Sequence, residues 1–111
     1  MSDKKDRLPG PDAVFRPRFT EIATFMRAPH AETFDDLDIA MIGVPMDLGV
    51  TNRPGARHGP REIRNASTLM RVMNMSTRVQ PFSLARIADV GDVPIENLFN
   101  LDDAIAQIAD Y

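Results

Sequence analysis

Apolar residues along this chain fall into four patterned stretches. Phe15, Phe19, Ile22 and Met26 recur at helical spacing, and Pro17 and Pro29 bracket them, which predicts a short helical turn or an ordered extended arm. The apolar face of that arm, Phe25 included, needs a surface to pack on, a neighbouring subunit being one option. From Leu37 to Val44 the chain is predominantly apolar, the pattern of a strand buried on both faces, and Pro45 stops it. A loop then runs to Gly59. Strand-to-helix connections usually take about two to six residues, and longer loops in compact domains are functional or disordered. The arginines and prolines of this one favour order.

Pro60 marks a helix start, because a first-turn proline gives up an N–H that would have no partner there. Ile63, Ala66 or Ser67, Met70 and Met73 then predict its buried face, and Asn74, Ser76 and Thr77 its end. Ser83 to Val90 predicts a second strand, with Asp89 to Pro94 as a turn at its end. Leu101, Ala104, Ile105 and Ile108 share one helical face, which predicts a helix over 101–109. Asn100 suits its N-cap, and Asp102 and Asp103 suit the positive end of its dipole.

The predicted order is arm, strand, long loop, helix, strand, helix: an α/β chain with a parallel sheet. Residues 1–36 read as an N-terminal arm and 37–111 as the first β-α-β-α portion of an incomplete domain. Parallel sheets are found buried, and two strands with two crossovers cannot cover both faces. The expectation is therefore the N-terminal part of a larger α/β domain, or a chain that must associate to be stable.

Composition narrows the classes of function. The chain has 111 residues, 43% hydrophobic and 26% charged, with net charge −3, a balance that gives no reason to expect nucleic acid or an anionic membrane as partner. No apolar run approaches the roughly 18 to 20 residues that span a bilayer. The N-terminus, MSDKKDRLPGPD, lacks the apolar segment of a secretory signal, so a cytoplasmic location is expected. With no cysteine, thiolate metal sites and cysteine nucleophiles are excluded. The seven methionines are expected as core filler.

Candidate chemistry concentrates in the long loop and its surroundings. The glycines at 43, 49, 55 and 59 spell neither a dinucleotide-binding nor a P-loop fingerprint. His30 and His58 belong to no spacing that places two donors on one ion. Asp89 and Asp92 could hold a hard cation, but such a pair more often caps turns and helices. No serine stands in a nucleophile elbow or near a histidine. Arg53, Arg57, His58, Arg61 and Arg64 form a basic group suited to forked recognition of a carboxylate or phosphate. The favoured alternative is that these cations pair with Asp47, Glu62, Asp89 and Asp92 and fix the loop. Pro60 supports it by removing one of the donors a helix start would offer an anion.

GVPMDLGVTNRPGARHGPREIRNAS, residues 43–67, resembles the signature of the agmatinase branch of the ureohydrolase (arginase) superfamily. IADVGDVPIENLFNLDDAIAQI, residues 87–108, is similar to a later element of that branch, and FMRAP, residues 25–29, to an N-terminal element of its agmatinase, guanidinobutyrase and guanidinopropionase members. The resemblance implies a three-layer α/β/α fold with a mostly parallel sheet. It also implies a binuclear manganese (Mn2+) centre whose hydroxide attacks a guanidinium carbon to release urea, agmatine being the expected substrate and guanidinobutyrate or guanidinopropionate the alternatives. Trimers or hexamers are the implied homo-oligomers.

The family's metal ligands lie in G-G-D-H, D-A-H-x-D and D-x-D motifs further along its chains, and no metal ligand or catalytic base is carried over to a residue here. The loop is expected at the rim of the cleft, with Asn52, Arg53 and His58 as candidates for contact with the tail of the guanidino substrate or for shaping that rim, while Arg57, Pro60, Ile63, Arg64, Asp89 and Asp92 are expected to be structural. By itself the polypeptide is expected to be inactive. The alternative reading is a truncated, non-catalytic chain that only associates with intact subunits.

Overall fold

The computed structural model describes residues 17–111. Phe15 and the rest of the first 16 residues of the predicted arm lie outside the described residues. A single 3-10 turn, Phe25–Arg27, is followed by β1 (Ile39–Gly43), a 3-10 turn at Ala56–His58 that runs into α1 (Gly59–Ser67), a helical turn α2 (Pro81–Leu84), β2 (Ile87–Asp92) and α3 (Leu101–Asp110). The arrangement is α/β, as the pattern predicts.

β1 and β2 pair in parallel, Ile39 opposite Ile87, Ala40 opposite Ala88, Met41 opposite Asp89 and Gly43 opposite Asp92, with an irregularity between Met41 and Gly43. Val93 N–H donates to Gly43 O at 2.9 Å and carries the pairing past the strand ends. On its other edge β2 meets Pro29–Ala31: Asp89 N–H donates to Pro29 O at 2.9 Å, and Ala31 N–H to Asp89 O at 3.0 Å. β2 is thus the central strand of the described chain. Its Ile87, Ala88, Asp89 and Val90 are all buried, and with Ala28, Val93 and Ala104 its apolar members make the core.

Several expectations are corrected here. β1 is shorter than predicted and is not buried on both faces: Ile39 is 47% and Ile42 40% exposed, because β2 is its one described neighbour. β2 continues through Asp92, where a turn was expected, and it begins only at Ile87, because Pro81, at a position that favours a helix start, opens a helical turn that takes in Ser83 and Leu84. α1 ends at Ser67, well before Asn74; of its predicted buried face only Ser67 is buried, whereas Ile63 is 59% exposed. Asn74 closes a separate turn instead, its Oδ1 accepting from Ser76 and Thr77 N–H at 3.0 and 3.1 Å. No described methionine is buried, so the core-filler expectation fails for Met26, Met41, Met46, Met70, Met73 and Met75.

α3 matches its pattern closely in extent. Asn100 caps it, Oδ1 accepting from Asp103 N–H at 3.2 Å. Of its predicted face only Ala104 is buried; Leu101 and Ile105 are 42% and 51% exposed. Tyr111 follows, its ring edge-on to Phe34 with centroids 5.4 Å apart.

Residues 17–24 form turns and bends rather than a helix, with Phe19 and Ile22 about nine-tenths exposed at 91% and 90%. In the turn that follows, Met26 and Arg27 have positive φ, 53° and 57°. Left-handed backbone costs a non-glycine residue about 1 to 2 kcal/mol, so this turn persists only because other contacts hold it. No described helix is long and apolar enough to cross a membrane.

Candidate functional site

Parallel pairing brings the C-terminal ends of β1 and β2 to one edge of the sheet, where the long loop leaves β1. Asp47, four residues after the end of β1, turns inward and is 7% exposed. A buried carboxylate needs donors, and the far end of the loop supplies them. Gly55 N–H donates to Asp47 Oδ2 at 3.0 Å, and Arg57 Nε lies 2.9 Å from both carboxylate oxygens, with Nη2 2.8 Å from Oδ1. The Arg57 hydrogen bonds outweigh the cost of burial and hold the Asp47 carboxyl below its ordinary range, while Asp47 raises the Arg57 guanidinium. The pair ties the start of the loop to its end. Asn52 and Arg53 project between these ties, exposed, with Arg53 at φ 55°. His58 is exposed at the cap position of α1.

Arg64 organises a second cluster. It leaves the face of α1 turned to the sheet, and its Nε and Nη2 donate to Asp89 Oδ2 and Oδ1 at 2.8 and 3.0 Å, a forked pair. Its Nη1 donates to Asp92 Oδ1 at 2.7 Å. The guanidinium also lies over the Phe25 ring, 4.2 Å from the centroid. Phe25 therefore packs within its own chain, where a neighbouring subunit was one option.

Asp89 is 1% exposed. Burial alone would raise its carboxyl; hydrogen bonds from Arg64 and from the Phe25 and Gly91 amides overcome this and hold it below the ordinary value. Gly91, at φ 86°, takes the left-handed bend that points its N–H at Asp89 Oδ1, 2.8 Å away.

Of the sequence-predicted structural residues, Arg57 thus sits on Asp47, and Arg64 joins Asp89 to Asp92. Pro60 packs beside Gly43, close enough that a Cβ at Gly43 would lie 2.9 Å from its own. Reasoning from sequence missed the part played by Gly43 and, though it named Ser67 as one option for the buried face of α1, the bonds that Ser67 makes. Gly43 stands in the loop motif, so its place there was the available signal; helical spacing could give the burial of Ser67 but not its partners. Ser67 Oγ accepts from Met26 N–H at 2.8 Å and donates to Arg64 O at 2.8 Å, joining the arm to α1.

Between residues 17–30 and the Arg64 cluster lies a cleft of about 810 Å³, lined by both segments and by Gly91 and Asp92. Asn52, Arg53 and His58 do not line it; they belong to the separate loop.

The described residues do not fit a metal centre. Among them, no group of three or more His, Asp or Glu side chains is placed to hold a metal ion. Asp89 and Asp92 are committed to Arg64, whose positive charge would oppose a cation there. The tripeptide Asp36-Leu37-Asp38 spells D-x-D, but Asp38 Oδ2 accepts from Arg86 N–H at 2.8 Å and closes the approach to β2.

Comparison with known proteins points one way. The Arginase family profile matches residues 37–111. A guanidinopropionase from Pseudomonas aeruginosa is 47% identical over 100 residues, covering 90% of this chain and 31% of its own length. A guanidinobutyrase from the same organism is 50% identical over 92 residues, covering 80% of this chain and 28% of its own length. Among solved structures, a proclavaminate amidino hydrolase from Streptomyces clavuligerus superposes with a TM-score of 0.80 at 36% identity, over 86% of this chain and 32% of that one. The chain spans about a third of the length of these proteins.

Proposed function

The chain belongs to the arginase family, and from that footing we propose that the whole protein hydrolyses a linear guanidino compound to urea and an amine. The observation that carries the proposal is the loop from Gly43 to Arg64, whose motif resembles that of guanidino hydrolases and which is pinned at the C-terminal edge of a parallel sheet. Ligands of open α/β sheets bind at that edge. In this reading residues 1–36 are an arm, and 37–111 are the first β-α-β-α portion of the catalytic domain.

The pinned loop forms the rim of the substrate cleft of the whole protein, which is distinct from the cleft between residues 17–30 and the Arg64 cluster. Asn52, Arg53 and His58 are its substrate-facing residues, and their exposure suits that role. Arg57, Pro60, Arg64, Asp89 and Asp92 brace it. The metal, a manganese pair in this reading, is held by parts of the whole protein other than the described residues. A trimeric or hexameric assembly and a cytoplasmic location complete the proposal.

Agmatine remains the expected substrate. A second reading, in which the substrate is a guanidino acid, draws support from the names of the two Pseudomonas relatives. An arginine at the rim suits it, because a guanidinium pairs with a substrate carboxylate and repels the ammonium of agmatine. The test is urea release by the whole protein supplied with Mn2+ and, in turn, agmatine, 4-guanidinobutyrate and 3-guanidinopropionate. Turnover of one supports the reaction and selects the substrate; no urea from any of the three would refute it.

A further inference from the structure

We propose that residues 17–28 are a releasable strap, with the Asp89 carboxylate and the Ser67 hydroxyl as its catch, and that release of the strap opens the cleft it walls. Three observations carry this. The short polar contacts of the strap converge on one place: Phe25 N–H donates to Asp89 Oδ2 and Met26 N–H to Ser67 Oγ, both at 2.8 Å, beneath the Arg64 guanidinium, while Arg18 Nη1 and Arg27 Nη2 add longer, exposed bonds of 3.3 and 3.4 Å to the Leu69 and Met70 carbonyls. Apolar anchoring is slight, since Phe19 and Ile22 are exposed and Ala28 is the only buried residue between 17 and 28. The fastened form is also strained, with Glu21, Met26 and Arg27 all at positive φ.

The limit of the strap is equally defined. From Pro29 onward the backbone is hydrogen-bonded to β2, so it belongs to the sheet. Thr20, Ile22, Thr24 and Arg27 line one side of the cleft, and Arg61 and Asn65 line the other. Swinging the first group away about Ala28 and Pro29 widens the cleft without disturbing β1 or β2. Regions with few buried apolar contacts occupy the low-stability end of a fold and open first.

Amide hydrogen exchange on the full chain tests this. The Phe25 and Met26 amides are expected to exchange at least about tenfold faster than those of Ala31 and Asp89, although all four are hydrogen-bonded. Equal protection would overturn the proposal. Ser67→Ala is expected to accelerate exchange at Phe25 and Met26 and tryptic cleavage after Arg27, leaving Ala88 and Val90 unchanged. Met26→Gly, which suits the left-handed backbone, is expected to slow both. Parallel acceleration of the strap and β2 amides, or no response to either substitution, would show the segment to be part of the core and not a strap.

Discussion

The Asp92 carboxylate fills the space beside the Gly43 Cα that a side chain would need: a Cβ at Gly43 would overlap Asp92 Oδ1. The ion pair between Asp92 and Arg64, at 2.7 Å, therefore depends on a missing side chain one strand away. Gly43→Ala is expected to destabilise the fold by about 1 to 3 kcal/mol, the usual cost of overfilling a packed site. Chemical denaturation checks it, with a control: in an Asp92→Ala background the same substitution should cost measurably less, because the clashing partner is gone.

Arg64 compensates a carboxylate that is almost wholly out of water. Arg64→Ala leaves Asp89 buried without its guanidinium, and removing one partner of a buried pair costs about 3 to 5 kcal/mol. Adding Asp89→Asn to Arg64→Ala should recover part of that loss, since no uncompensated charge remains. A double-mutant cycle in urea measures the recovery; strictly additive losses would show that the pair contributes no coupling.

Acid should weaken the fold through two carboxyls. Asp47 and Asp89 are both held below the ordinary value of 3.8 in the folded protein. A depressed folded pKa contributes stability at and above the unfolded value, and that contribution is lost as pH falls through the folded value. The melting temperature is expected to stay level from about pH 7 to about pH 5 and to fall below about pH 4. Asp47→Asn should lower the plateau and flatten the acid slope, because the group that titrates has been removed.

Gly91 and Asn100 give local tests. Gly91 holds φ 86°, and Gly91→Ala should cost about 1 to 2 kcal/mol for forcing an L-residue left-handed. Asn100→Ala removes the cap on α3 and should cost about 1 kcal/mol, with faster amide exchange confined to the first turn of that helix.

Arg57 separates loop order from chemistry. In the whole protein, Arg57→Ala is expected to lower the melting temperature or the assembly more than it alters the chemical step, because its partner Asp47 is structural. Arg53→Ala should do the reverse, raising KM with the melting temperature unchanged. Thermal unfolding paired with steady-state kinetics distinguishes the two, and an unchanged melting temperature with lost turnover in Arg57→Ala would reverse the assignment.

Element type was legible where periodicity was strong. α3 and its Asn100 cap could be read from four apolar positions and one polar residue, and the start of α1 from Pro60. Burial was much less legible. A run such as Ile39 to Val44 predicts a covered strand, but cover depends on which segments lie alongside, and the segment that joins β2 on its far edge, Pro29–Ala31, has no strand-like pattern at all.

The clusters were partly legible for a similar reason. Composition could name Asp47, Asp89 and Asp92 as partners for the arginines, because a basic loop in an acidic chain must find carboxylates. It could not say which met which, since that depends on β1 and β2 lying in parallel with Gly43 opposite Asp92. Ser67 could be named as one option for the buried face of α1, but its role stayed hidden because it arises from the Met26 amide, which only tertiary structure brings to it.

The bond from Phe25 to Asp89 spans 64 residues of sequence. Closing so long a stretch is entropically costly, and contacts of that separation form late in folding. On a ribosome, moreover, the acceptor does not exist until synthesis has passed residue 89. Everything from Phe25 to the end of β2 is thus made before its first segment can settle, which leaves Phe25 and its neighbours within reach of chaperones or proteases for the whole of that interval.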